Sequence, residues 1–203
     1  MSIKEPDPER ASVIRNAVKS KYKTVASRPE GHFPYPIGRE SALNLGYDPS
    51  WLESVPDEIA SHFVGVGNPF SIHIPKQGIR VLDAGCGCGL DSFVASLLVR
   101  PHGRVCGVDL TKEMLALPGS FSGKTKNKNP EFCEASIEAL PYRDRAFDMI
   151  ISNGVLNLVP DKKTAFSELA RVLKPGGILA AADLVVMEEI PPEVLESKDA
   201  WST

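Results

Sequence analysis

Three alternating glycines, Gly85, Gly87 and Gly89, follow a short apolar run and open an apolar helical pattern. An acid, Asp83, stands just ahead of them in Val81-Leu82-Asp83-Ala84-Gly85-Cys86-Gly87-Cys88-Gly89. Strand, glycine turn and helix is the context in which such a loop binds a ligand. The glycines let the chain turn tightly and let a ligand press on bare backbone. Their spacing is one residue shorter than the Gly-x-Gly-x-x-Gly that aims a helix N-terminus at a dinucleotide pyrophosphate. A carboxylate before the loop repels pyrophosphate and suits a cationic aminoacyl group. A second acid, Asp109, lies 20 residues beyond Gly89 at the end of the next strand. From there it can accept two hydrogen bonds from ribose hydroxyls. Each piece alone has a plainer reading: a glycine-rich turn, and a helix cap, since Asp109-Leu110-Thr111 precedes the helical Glu113-Met114-Leu115. In register they point to a nucleoside ligand, and the charges favour S-adenosylmethionine, with its ammonium and sulfonium, over NAD.

Four cysteines, Cys86, Cys88, Cys106 and Cys133, form no Cys-x-x-Cys pair, and His32, His62, His73 and His102 lie outside the motifs. No metal site is expected from this pattern. A disulfide framework does not suit a chain with so much apolar periodic sequence, so the thiols are read as reduced. Cys106 and Cys133 fall in strands and read as inert core thiols; Cys86 and Cys88 read as small residues of the loop. No catalytic residue can be assigned. His32, Tyr35 and Arg39 fall in an N-terminal loop that either serves as a lid or is ordinary surface.

The elements that must position these residues divide near residue 70, giving a helical and loop lid segment over 1–69 and the ligand-binding domain over 70–203. In the first, Asp7-Pro8-Glu9 starts a helix with apolar Val13, Ile14, Ala17, Val18, Tyr22 and Val25 at helical spacing. Arg28 to Leu45 is rich in Pro and Gly and reads as a loop. Asp48-Pro49 and Pro56-Asp57 start two short helical turns, the second running through Ile59 and Phe63. After residue 70, strands at Ile79–Leu82, Arg104–Val108, Phe132–Glu134, Phe147–Ile151 and Ile178–Val186 alternate with helices. Those helices include Ser92–Val99 and an amphipathic Thr164–Leu173 with Phe166, Leu169, Val172 and Leu173 inward. Lys124 to Asn129 reads as a polar turn, and the residues after Val186 have room for one short helix near Ile190–Leu195. Such alternation implies βαβ units: an α/β, Rossmann-like, doubly wound and mainly parallel sheet.

The 203 residues, 42% of them hydrophobic, suffice for one full core. A net charge of −3 favours neither nucleic acid nor an anionic membrane surface. No apolar run approaches the ~18 residues that span a bilayer, and the polar Met1–Pro6 lacks a signal-peptide core. The expected location is cytoplasmic.

These motifs resemble those of class I methyltransferases. Asp83 to Gly89 resembles that family's first motif and Asp109 its ribose acid. Leu140-Pro141-Tyr142 with Phe147-Asp148-Met149-Ile150 resembles the run into its fourth strand, and Leu173-Lys174-Pro175-Gly176-Gly177 the turn into its fifth. The likeness covers about residues 65–187 and implies strand order 3-2-1-4-5, without the family's last two strands. Within that superfamily the chain is most similar to arsenite methyltransferases, in Gly107–Lys112, in Ser136-Ile137-Glu138-Ala139-Leu140, and above all in Ile151–Lys162. The resemblance implies that Asp83, Gly85, Cys86, Gly87, Gly89, Asp109 and Leu110 bind the cofactor, with Ile137 and Glu138 at adenine and Asn153 at the methionine end.

Arsenite methyltransferases hold trivalent arsenic, a soft centre, through thiolates. By resemblance, one such cysteine falls at Gly154 and another at Val66, so both thiols are missing here, and a further one lies beyond the point where this chain stops. The fifth strand is left as an apolar open edge for a second copy or a partner chain. The reading is an S-adenosylmethionine-dependent methyltransferase acting on a small molecule, with arsenite methylation weak or absent in the isolated chain. The alternatives are a carbon- or oxygen-methyltransferase of the quinone, sterol or small-metabolite type, and a non-catalytic cofactor-binding fragment.

Overall fold

The computed structural model describes residues 7–121 and 130–185. The polar N-terminus before Asp7, the Lys124–Asn129 turn, Val186 and the helix expected near Ile190–Leu195 lie outside the described residues.

Five strands, β1 (Arg80–Ala84), β2 (Arg104–Asp109), β3 (Glu131–Glu134), β4 (Phe147–Asn153) and β5 (Leu173–Ala182), form one parallel sheet in the order β3-β2-β1-β4-β5. This is the expected order, and no sixth strand occurs among the described residues. The order reverses between β1 and β4, which opens a cleft beyond their carboxyl ends. Side chains alternate across the sheet as strand geometry requires. Val81, Met149 and Ile151 pack on one face with Phe93 and Val94. Leu82 and Ile150 pack on the other with Ala165, Leu169 and Val172.

Helix α1 (Pro8–Val25) starts as expected: Asp7 accepts the Glu9 N–H at 3.1 Å and Pro8 fills the first turn. The stretch expected as a loop over Arg28–Leu45 instead contains α2 (Gly38–Asn44). Gly38, at φ +76°, donates to Phe63 O at 2.7 Å, so a tertiary contact fixes the start of a helix too short to show a period. Helices α3 (Pro49–Glu53) and α4 (Asp57–Ser61) follow where Asp48-Pro49 and Pro56-Asp57 place them; α4 stops short of the buried Phe63. Tyr47, Leu52, Val55, Ile59, Phe63 and Phe70 of this first segment share one apolar cluster with β1, β4 and helix α5 (Leu90–Leu98). Helix α6 (Lys112–Ser120) follows β2.

Helix α7 (Lys162–Val172) buries Ala165, Leu169 and Val172. Phe166, expected inward, is 45% exposed, because that stripe leaves it one residue, about 100°, off the core-facing line. Leu173 opens β5 and does not close α7. It pairs with Phe147 before a bulge, after which Ile178–Ala182 run beside Met149–Asn153. The strand ends at Ala182 and does not reach Leu184 or Val185. The Asp183 carboxylate takes the N–H groups of Leu156, at 2.7 Å, and Leu184, at 2.8 Å, and so ends the pairing.

Candidate active site

Helix α5 begins directly at Leu90, so Gly89 is its N-cap and the glycine loop runs straight from β1 into the helix. Gly85, Gly87 and Gly89 have φ of +81°, +52° and +89°, values that favour glycine. A Cβ on Gly85 would fall 2.3 Å from Val155. The Gly85 and Cys86 N–H groups both donate to Val108 O at 2.8 Å, which moors the loop on β2. All ten residues singled out from the sequence as cofactor contacts line one cavity at the carboxyl ends of β1 and β4.

Asp109 binds backbone on both sides of its position. One carboxylate oxygen takes the Thr111 N–H at 2.8 Å ahead of α6, and the other takes the Gly87 N–H at 2.9 Å. Burial pushes this acid up to about 6, against those backbone hydrogen bonds. Asp83 is 1% exposed and accepts from Ser92 Oγ at 2.6 Å. Burial, then the neighbouring Asp91, holds it well above the usual carboxylate range.

Asp91 escaped the sequence reading, which starts this helix at Ser92 and leaves the acid outside every motif; the helix in fact starts at Leu90 and places Asp91 in its first turn. Here it is buried on the cavity wall, hydrogen-bonded by the Tyr47 hydroxyl and by Asn153 Nδ2, the latter at 3.0 Å. Burial pushes it up to about 6. Three carboxylates thus face one glycine loop, and none of them forms an ion pair among the described residues. Such a site favours a cationic guest.

Asn153 ends β4. Its Oδ1 accepts the N–H groups of Val66, at 2.9 Å, and Gly67, at 3.1 Å, while Nδ2 donates to Gly67 O at 2.8 Å. The opposite amide orientation would set Nδ2 against two N–H donors, so the network fixes the flip. Ile137 is 7% exposed and faces both cavity and core. Glu138 is tied from behind: Arg15 of α1 grips it with two hydrogen bonds of 2.6 and 2.8 Å, and the Asp161 N–H adds a third at 3.2 Å. The cavity also gathers Tyr22 of α1 and His62 after α4, which sequence spacing could not connect to the motifs. Of the three lid candidates, Tyr35 donates to Val64 O at 3.3 Å and Arg39 pairs with Asp57, while His32 is half-buried.

The thiols are poor ligands for a soft centre. Cys86 and Cys88 are buried in the loop, and burial pushes the first well above the ordinary thiol range and the second to about 12. Cys106 is buried in the sheet and Cys133 is half-buried. Val66 and Gly154 face each other: a Cβ on Gly154 would lie 3.4 Å from both Val66 methyls. No group of three His, Cys, Asp or Glu side chains suited to a metal ion occurs among the described residues.

A doubly wound 3-2-1-4-5 sheet with an acidic glycine loop at its switch point is the architecture of a Rossmann-like, class I methyltransferase. A methyltransferase-domain family model matches residues 75–203. The chain belongs to that family, whose cofactor is S-adenosylmethionine. Among characterised proteins it is similar to an arsenite methyltransferase of Halobacterium salinarum, at 39% identity over 77% of this chain and 40% of the relative. It is also similar to a demethylmenaquinone methyltransferase of Lactococcus lactis, at 37% identity over 49% of this chain and 40% of the relative. The crystal structure of an arsenic(III) S-adenosylmethionine methyltransferase from Chlamydomonas reinhardtii superposes with a TM-score of 0.65. There the identity is 37%, and the match covers 73% of this chain and 53% of that one. The chain thus spans less than half the length of the curated relatives it matches.

Proposed function

We propose that this chain is the cofactor-binding part of an S-adenosylmethionine-dependent methyltransferase acting on a small molecule. The observation that carries the reading is the set of carboxylates, buried Asp83 and Asp91 with part-buried Asp109, around one glycine loop without a cationic partner among the described residues. The bound cofactor supplies an electrophilic methyl group on a sulfonium. The residues of this chain bind and orient: Asp109 receives ribose hydroxyls, Ile137 lies against adenine, the glycine loop lies under the aminoacyl end, and Asp83 and Asp91 offset positive charge. Glu138, with its oxygens taken by Arg15, Ser136 and Asp161, braces the adenine wall from behind. Helix α1 and the segment before residue 70 form the cover that keeps water out, the condition for in-line transfer in a dry pocket. Calorimetry tests this: S-adenosylmethionine and S-adenosylhomocysteine bind and NAD does not, and tighter binding of NAD overturns the reading.

For the acceptor, two small-molecule readings remain. Resemblance over Ile151–Lys162 favours arsenite. The absence of thiols at Val66 and Gly154 and the protonated loop thiols favour an acceptor held by apolar contact, of the quinone or small-metabolite type, and the Lactococcus relative is in keeping with that. A carbon or oxygen nucleophile needs a base, and His62 is the imidazole on the cavity wall. Its Nδ1 faces Glu58 O at 2.8 Å, a carbonyl that only accepts, so Nδ1 carries the proton and Nε2 is left as the basic nitrogen. A cytoplasmic location, no nucleic-acid partner, and pairing of the β5 edge with a second copy or partner chain complete the proposal. No helix of the described residues is long and apolar enough to cross a membrane.

A further inference from the structure

Tyr47 lies outside every motif, in the segment between α2 and α3, yet it is 2% exposed and its hydroxyl meets three elements at once. It contacts the Asp91 carboxylate on α5, Asn153 Nδ2 at 3.2 Å at the end of β4, and Gly67 O at 3.3 Å. A phenol has one proton, and the carboxylate, as the stronger acceptor, takes it. The two protons of Asn153 Nδ2 then go to its two shorter contacts, Gly67 O at 2.8 Å and the Asp91 carboxylate at 3.0 Å, with the phenol oxygen alongside at 3.2 Å. The ring cannot swing away: Phe63 and Phe70 meet it edge-on with centroids 5.5 and 6.1 Å distant.

The consequences run to both sides of the cavity. Asp91 lines the cavity, and its two oxygens are held by Tyr47 and by Asn153. Asn153 in turn holds the N–H groups of Val66 and Gly67, so the Gly65–Gly67 segment, which meets the cavity at Gly65, stands where Asn153 puts it. A Cβ on Gly65 would fall 2.5 Å from Asn153 Nδ2, so this wall has no slack.

We propose that Tyr47 is a positioning residue that locks Asp91 and Asn153 into one arrangement and so couples the cationic end of the cofactor to the Gly65–Gly67 wall beside the acceptor. The proposal rests on the methyltransferase reading of the cavity. Asp91 faces Tyr47, Asn153 and, from β1, Asp83, while Asp109 from β2 faces the same loop; no cation among the described residues opposes them. With the phenol in place Asp91 keeps its charge in spite of burial. Without it, a buried carboxylate has one donor fewer and holds its proton to higher pH.

The test is Tyr47→Phe in the full chain, with S-adenosylmethionine binding followed by calorimetry across a pH series. The wild-type affinity falls as pH drops through about 6, where Asp91 and Asp109 both take up protons; Asp109 is common to every variant, so a difference between variants reports Asp91. In the variant that midpoint moves up by about one unit, which weakens binding about tenfold in the acid range and little well above neutrality. A loss that is uniform at all pH values marks a merely structural role and overturns the proposal. Replacement of the Tyr47 ring by 3-fluorotyrosine keeps every contact and makes the hydroxyl a stronger donor. The midpoint then moves the opposite way, and an unmoved midpoint overturns the proposal even where the phenylalanine variant does not fold. Absence of binding by the wild-type chain at every pH would overturn the cofactor reading, and this proposal with it. Wild-type binding with midpoints unmoved in both variants overturns the role of Tyr47 alone.

Discussion

The Asp109 carboxylate takes the Gly87 N–H at 2.9 Å, so the acid that closes β2 also braces the glycine loop that follows its neighbour β1. Its second oxygen holds Thr111, and the residue lines the cavity. Asp109→Ala therefore removes a ligand contact and loosens the loop together. Cofactor affinity should fall by about 1–3 kcal/mol, the range for buried hydrogen-bond partners left unpaired. Titration calorimetry with S-adenosylhomocysteine measures it; an unchanged Kd would remove Asp109 from the site.

Asp91 and Asp109 titrate near 6 against an ordinary value of 3.8. A cationic ligand favours their ionised forms, so their affinity for protons drops on binding and protons leave for the buffer. Calorimetry at pH about 6 in buffers of different ionisation enthalpy should show net proton release. The sign for folding follows from the same shift. The free fold binds more protons than the unfolded chain between pH about 4 and about 6. The stability these two acids contribute is thus full below about 4 and lost as pH rises through 6. Saturating cofactor should reduce that loss, and proton uptake on binding would contradict the placement of positive charge beside these acids.

Much of this was legible in the sequence, for identifiable reasons. The strand–turn–helix context placed the glycine loop and Asp109 correctly because both depend on local order along the chain. The parallel order followed from alternating elements and from resemblance. What sequence could not reach was contact at long separation: Tyr47 meets Asp91 across 44 residues, and Arg15 meets Glu138 across 123. Helix α2 was invisible because seven residues show no period and the surrounding proline and glycine read as loop. Phe166 misled because size suggested burial where the helical phase assigned Ala165.

Arg15 and Glu138 form the anchor of α1. Glu138 is 9% exposed and Arg15 35%, whereas Lys19–Glu134 and Lys23–Glu113, one and two turns along, are largely in solvent. Arg15→Ala leaves a shielded carboxylate unpaired, and after discount for the exposure of Arg15 this should cost about 1–2 kcal/mol. For a chain of this size that lowers Tm by about 3–6 °C. Lys19→Ala and Lys23→Ala should stay within about 0.5 kcal/mol. Arg15→Lys should recover little, since an ammonium cannot repeat the two-pronged grip. Thermal melts decide it, and equal effects from all three alanine variants would show that α1 is held by its apolar face alone.

Val66 and Gly154 stand opposite each other: a Cβ on Gly154 would lie 3.4 Å from the Val66 methyls, in van der Waals contact. By resemblance these are the positions where arsenite methyltransferases carry thiols. A secure trivalent arsenic site needs about three soft ligands. The chain's own loop thiols are buried, with burial holding them protonated, and Cys106 and Cys133 do not line the cavity. We therefore expect little or no methyl transfer from labelled S-adenosylmethionine to arsenite, even with glutathione present. Val66→Cys with Gly154→Cys would bring two sulfurs together at the cavity wall, with glutathione as the third ligand. Gly154 has φ +69°, so its replacement costs about 1–2 kcal/mol of backbone strain, small enough to leave the fold intact. Arsenite methylation should appear in the double variant and in neither single one. Robust activity in the unmodified chain, persisting when Cys86 and Cys88 are both replaced by serine, would show that arsenic is held here without protein thiols. The absence of Cys at Val66 and Gly154 would then say nothing about the acceptor.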